Sequence, residues 1–121
     1  MISESIMCLA IALFHEGRGE SVKGQQAIAE VIDNRTKHKD FPNSYCGVIK
    51  QKGQFSFYKG SYMLHPPNYE KYAWDRSLHI AKNFSKNKTN HTKGSLYFNA
   101  SRLGVRFGNT LKLKHGGHVF F

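Results

Sequence analysis

The chain has 121 residues, enough for one domain with a single hydrophobic core but not for two. Apolar residues make up 40% and charged residues 21%, which excludes a disordered chain, and no apolar run approaches the roughly 20 residues that span a bilayer. The formal net charge of +10 points to a polyanionic partner: nucleic acid, an anionic membrane surface or an anionic cell wall.

The first segment, Ser3 to His15, places Ile2, Ile6, Leu9 and Leu13 at helical spacing, with Ala10 and Phe14 beside them. Ser3 or Ser5 can cap it. Glu4 stands where a secretory leader carries a basic residue, and no small-residue cleavage site follows, so the segment reads as the first helix of the fold and the protein as one made in the cytoplasm. Cys8 and Cys46 do not form a disulfide framework, and two free thiols are expected. The glycines Gly17 and Gly19 then interrupt the chain.

A second helix is predicted from Ser21 to about Lys37, with Ser21 as N-cap, an apolar face of Ala27, Ile28, Val31 and Ile32, and a basic end. Phe41-Pro42-Asn43 breaks the chain, and Ser44 to Lys50 reads as a short helix. Gly53 to Tyr58 alternates and reads as extended; His65 to Asn68 is another break. Tyr69 to Phe84 is the third long helix, with Trp74, Leu78 and Ala81 on one face. Ser85 to Lys93 is polar and basic and reads as a solvated loop. Leu96 to Phe98, Val105 to Phe107, Leu111 to Leu113 and Val119 to Phe121 read as short strands joined by turns. Helices first and strands late make an α+β domain over residues 1–121, with no internal repeat or linker.

His15-Glu16-Gly17-Arg18-Gly19-Glu20 carries the clearest chemistry. A carboxyl beside an apolar helix is partly desolvated, which raises its pKa and keeps it protonated, ready to donate. Glycines let an extended ligand come close to the backbone. Cleavage of a glycosidic bond needs such an acid on the leaving oxygen. The plain alternative is a tight turn whose surface carboxylates, Glu16 and Glu20, pair with Arg18.

The ordered set Glu16-Gly17-Arg18-Gly19-Glu20, Gly24-Gln25, the apolar helix ending in Asn34-Arg35, Phe41-Pro42, Val48-Ile49, Gln54-Phe55-Ser56, Gly94 to Asn99 and Gly117 to Phe120 resembles the cell-wall hydrolase family typified by spore-cortex-lytic enzymes. The resemblance covers nearly the whole chain. It implies a lysozyme-like α+β domain, helices with a small C-terminal antiparallel β-sheet, that cleaves the MurNAc–GlcNAc linkage of peptidoglycan. The catalytic Glu of the family falls on Glu16. Family members studied in spore germination resemble lytic transglycosylases, which need one carboxyl and leave a 1,6-anhydro muramic end; muramidase-type hydrolysis, with Glu20 as a second carboxyl, is the alternative. Glu20 is otherwise expected to support the loop or the first turn of the second helix. The family usually has Ala where this chain has Gly17, which implies a less preorganised loop.

Gln54, Ser56, Tyr97 and Asn99 are candidates for the glycan groove, because amides, hydroxyls and aromatic faces bind sugars. Phe55, Phe98 and Trp74 read as core. The expected partners are glycan strands and, by charge, other anionic envelope polymers, with the protein a monomer. A compact, basic chain of this kind fits a bacteriophage endolysin or a virion-associated lysin, released to the wall after synthesis or carried in a virion. His15-Glu16 lacks the second ligand of a His-Glu-x-x-His site, because position 19 is Gly, and the other histidines are scattered, so no metal and no cofactor are expected. The run Lys82 to Lys93 is the best case for the other class, a basic non-enzymatic protein that binds nucleic acid or wall; with one aromatic, Phe84, it offers little stacking surface.

Overall fold

The computed structural model describes residues 2–51, 70–106 and 108–121. Gly53 to Tyr58 and His65 to Asn68, with Gln54, Phe55 and Ser56, lie outside the described residues.

Helix α1 spans Glu4–Gly17, α2 Val22–Thr36, α3 Tyr45–Ile49 and α4 Lys71–Lys86. Three starts are fixed by serine caps: the hydroxyls of Ser3, Ser21 and Ser44 accept the N–H of Ile6, Gly24 and Gly47 at 3.1, 3.1 and 3.0 Å. Every residue from Cys8 to Phe14 is buried, so α1 is apolar all round. It packs against α2, α3 and α4, which explains why: a helix enclosed on all sides has no face to give to water. Its partners contribute Ala27, Ile28, Val31 and Ile32 from α2, Val48 and Ile49 from α3, and Trp74, Ile80, Ala81 and Phe84 from α4.

The predicted helices stand, with one shift that matters. The first runs two residues past His15, so Glu16 lies on its last turn rather than just beyond it.

Among the described residues the strands are fewer and shorter than expected. β1 (Phe98–Ala100), β2 (Leu113–His115) and β3 (His118–Phe120) form an antiparallel sheet in the order β1-β3-β2. β3 is central: Phe98 faces Phe120 on one side and Leu113 faces Phe120 on the other. Leu96 and Tyr97 precede β1, and Val105 and Arg106 are not strand.

Two expectations are corrected. Cys8 and Cys46 are not free thiols: they form a disulfide, with Cα atoms 5.3 Å apart, that joins α1 to α3. Packing the short helix against α1 brings together two residues 38 apart in sequence, a juxtaposition that spacing cannot reveal. In the chain-entropy account, closing a loop of that length restricts the unfolded chain and stabilises the fold by about 2–4 kcal/mol. Reductant is therefore expected to lower the melting temperature by several degrees, and the Cys8→Ala/Cys46→Ala protein to melt at the same lower temperature with or without reductant.

The polar segment after α4 is not simply solvated either. Helix α4 itself reaches Lys86, and the chain beyond it folds onto α2. Thr92 is fully buried, and the carboxylate of Glu30, itself buried, accepts hydrogen bonds from Thr89 and Thr92 and from the backbone of His91 and Thr92. The end of α2 then fastens the approach to the sheet. Asn34 Nδ2 donates to the Ser95 carbonyl at 3.0 Å and Arg35 Nε to the Leu96 carbonyl at 2.7 Å. The Arg35 guanidinium lies 4.9 Å from the ring centre of Phe41 and 5.5 Å from that of Tyr97. The Asn34-Arg35 pair is thus the joint between helices and sheet.

Candidate active site

The turn from Glu16 to Ser21 connects the core helix to α2 and touches the hairpin turn of the sheet. Gly17, the last residue of α1, is buried, and its carbonyl accepts the Glu20 N–H at 2.8 Å. A Cβ on Gly17 would stand 2.7 Å from Ile28 Cδ1. The glycine therefore lets the last turn of α1 sit close against α2, a tight junction rather than a loose loop.

Glu16 projects from this last turn and is half-buried. Burial raises the pKa of its carboxyl above the ordinary 4.5. The C-terminal end of a helix acts in the same direction, because its exposed carbonyls disfavour a negative charge. Among the described residues no hydrogen bond or ion pair to the Glu16 side chain is found.

The other acids nearby are engaged. Arg18 pairs with Glu70, just before α4, and its guanidinium lies 4.9 Å from the ring centre of Phe14; it does not pair with Glu16 or Glu20. Asp75 pairs with Lys71 at 2.8 Å. Phe14 is braced in turn by Trp74, edge to face at 6.2 Å, so Trp74 is core as expected.

Glu20 is built into the fold. Its Oε1 accepts the Gly117 N–H at 3.3 Å, and its backbone carbonyl accepts Arg76 Nη1 at 2.9 Å. Gly116 has φ +56°, and a Cβ there would come within 2.0 Å of Oε1, so only glycine admits the carboxylate under this turn. His118 Nδ1 lies 3.8 Å from Oε1, and His115 Nε2 is 2.8 Å from Ser21 Oγ. Glu20 therefore holds the β2–β3 turn against the start of α2. Glu20→Gln keeps the acceptor for Gly117 and is expected to retain activity within about tenfold, whereas Glu20→Ala loses that bond and should cost about 1–2 kcal/mol; paired activity and melting measurements check both.

Tyr97 and Asn99 lie beside and on β1, and both make bonds within the sheet and its turns. The N–H and carbonyl of Tyr97 pair with those of Phe121, at the end of the sheet away from the hairpin turn. The Tyr97 ring stacks on Phe121 at 5.7 Å and lines a cavity of about 330 Å³ with Asn109, Thr110 and Lys112. Glu16 does not line that cavity. Asn99 sits opposite Val119 and donates to the Gly104 carbonyl at 3.2 Å, closing the turn after β1. Phe98 is half-buried and packs on the core. The partnership of Arg18 with Glu70 was not legible in the sequence, since the two are 52 residues apart.

The family model described as Cell Wall Hydrolase matches residues 19–121. Glu20 falls inside that span and Glu16 three residues before it. The spore cortex-lytic enzyme of Bacillus subtilis is 41% identical over 66 residues, which are 54% of this chain and 22% of that protein. The enzyme of the same name from Bacillus cereus is 38% identical over 63 residues, 52% of this chain and 24% of that protein. Both matches span about a quarter or less of those relatives. Among solved structures, the catalytic domain of the Bacillus cereus SleB protein superposes with a TM-score of 0.75 at 28% identity, covering 97% of this chain and 88% of that one. The catalytic domain of the germination-specific lytic transglycosylase SleB from Bacillus anthracis does so with a TM-score of 0.75 at 27% identity, covering 99% and 95%. The arrangement of four helices and a small antiparallel sheet is the lysozyme-like fold of these domains.

Proposed function

The chain belongs to the cell wall hydrolase family, and from that premise we propose that it cleaves the MurNAc–GlcNAc linkage of peptidoglycan as a lytic transglycosylase, with Glu16 as acid and then base. The observation that carries this reading is the contrast among the acids: Glu16 is half-buried, its pKa raised by burial, and among the described residues it has no ion-pair partner, while Glu20, Glu70 and Asp75 are each held by other groups.

The protonated Glu16 carboxyl gives its proton to the glycosidic oxygen, and the C1–O bond breaks as positive charge develops on the muramic ring. The carboxylate so formed then takes the proton of the C6 hydroxyl of the same sugar. That oxygen bonds to C1, and the product is a 1,6-anhydro end. Glu16 is protonated again, and no water is consumed. A hydrolytic route needs a second carboxylate to activate water, and the engagement of Glu20 disfavours it there.

Action on the wall also suits the Cys8–Cys46 disulfide, which forms and persists outside reducing compartments. The net charge of +10 holds the enzyme near anionic envelope polymers. A bacteriophage endolysin or virion-associated lysin is the finer reading of such a small basic domain; lysis on expression only when the inner membrane is opened supports the former.

Mass spectrometry of fragments released from purified sacculi tests the reaction. Anhydro-muropeptides from the wild type and none from Glu16→Gln are the expected result. Reducing muramic ends would replace transglycosylation by hydrolysis. No release by the wild type would overturn the glycosidase reading for those walls.

A further inference from the structure

A second polar centre lies at the far end of α2 from the catalytic turn. Helix α2 has 15 residues, roughly 20 Å of rise, with Ser21 at its start and Lys37 at its end. There a cavity of about 350 Å³ is lined by Asp33, Lys37, Lys88, Tyr45, Ser5 and Asn43, among others. Asp33 is buried, at 4% exposure, and three donors converge on it: Tyr45 Oη at 2.8 Å, Lys88 Nζ at 2.9 Å and Lys37 Nζ at 3.0 Å. Burial pulls the Asp33 pKa up, but the bonds from Lys88, Lys37 and Tyr45 outweigh it, and the carboxyl lies below its usual range. It stays ionised and holds both ammonium groups at the cavity.

The donors and acceptors of this cavity do not balance. Each ammonium has three N–H groups and gives one to Asp33, which leaves four. Ser5 and Asn43, both exposed, add a hydroxyl and an amide that bond to nothing among the described residues. The one carboxylate is already occupied by three donors, and Tyr45 has given it its only proton. Two cations against one anion leave a charge of +1. The cavity thus presents more N–H donors than charged acceptors and, with both ammonium groups reaching solvent, an excess of positive charge at its mouth. Its donors come from the first turn of α1, the end of α2, the segment before α3 and the segment after α4, so they approach from several directions. A tetrahedral phosphate offers oxygens in several directions, whereas a planar carboxylate offers only two.

We propose that this cavity binds a phosphate group, presented either as free inorganic phosphate or as the phosphodiester of an anionic wall polymer. The site is independent of the glycosidase reading: it concerns binding, not cleavage. A polymer held here anchors the domain roughly 20 Å from the turn that carries Glu16, about the length of α2.

The test is nuclear magnetic resonance of the ¹⁵N-labelled full chain titrated with inorganic phosphate, against sodium chloride at equal ionic strength. Saturable shifts confined to Ser5, Asp33, Thr36, Lys37, Asn43 to Tyr45 and Lys88 are expected. Lys88→Gln should weaken the binding about tenfold, the loss expected for a hydrogen bond to a charged group. Ser5→Ala/Asn43→Ala, which leaves every bond to Asp33 in place, should weaken it similarly, so the result does not rest on a variant that disturbs folding. Competition by poly(glycerol phosphate) assigns the site to a wall polymer; saturable phosphate binding that the polymer does not displace assigns it to free phosphate. Equal shifts with chloride, shifts spread over other lysines, or unaltered binding by both variants would overturn the proposal.

Discussion

Glu16→Gln is expected to lower the release of glycan fragments by about 10²–10⁴-fold, the range that a positioned general acid contributes. The substitution keeps size and burial but removes the transferable proton. The fold should survive it, because among the described residues no hydrogen bond or ion pair to Glu16 is found. The Glu16 pKa is higher in the fold than the ordinary 4.5, so between the two values the folded protein binds more protons than the unfolded chain. Stability then falls as pH rises through that window and stays lower above it. At neutral pH Glu16→Gln should therefore melt at or above the wild-type temperature, and the difference should vanish at acid pH, where Glu16 is protonated in both states. The catalytic rate has the same origin: activity should decline on the alkaline side as the carboxyl ionises. A pH–rate profile flat to high pH, or a Glu16→Gln protein that retains activity, would remove Glu16 from the role of proton donor. Loss of activity with a large drop in melting temperature would instead make it a structural residue.

The helices were legible because their signals are local. Serine before an apolar period marks a cap, and Ser3 and Ser21 do cap α1 and α2. The strands were harder. Each has three residues, too few for alternation to show, and what counts in β1 is its register against Val119 and Phe120. Glu16 was singled out through a motif, and the structure adds what the motif cannot: half-burial on the last turn of a helix enclosed on all sides. Tyr97 and Asn99, singled out by residue type as sugar contacts, also make bonds within the sheet and the turn that follows β1, which residue type does not reveal. The Cys8–Cys46 disulfide and the Arg18–Glu70 pair were hidden for one reason: both join residues far apart in the chain, and only the packing of α1 against α3 and α4 brings them together. The polar face of α2 that carries Glu30 and Asn34 is likewise covered by residues distant in sequence, those of the segment leading to the sheet.

Glu30 gives that covered face its largest expected effect on stability. At 2% exposure its carboxylate accepts hydrogen bonds from the Thr92 N–H and hydroxyl, both at 2.8 Å, from the His91 N–H at 2.9 Å and from the Thr89 hydroxyl. The geometry is self-contained: one carboxylate organises the backbone of a loop that has no regular structure to satisfy it. Glu30→Ala removes all four bonds at once and leaves the Thr92 donors buried without acceptors. Each buried unsatisfied donor costs about 1–3 kcal/mol, and bonds to a charged group are the stronger kind. A total of about 4–5 kcal/mol follows, near the limit for a single substitution and a large fraction of a small domain's stability. The loop can recover part of this by opening to water, but Asn34 and Arg35 hold its far end at Ser95 and Leu96, so opening also loosens the entry to β1. Glu30→Gln should fall between, because its amide keeps one oxygen as acceptor and turns an N–H₂ group toward the remaining donors. Urea unfolding of the three proteins gives the ranking, and hydrogen exchange at His91 and Thr92 locates the damage. Wild-type stability in Glu30→Ala would mean that the loop does not depend on this carboxylate.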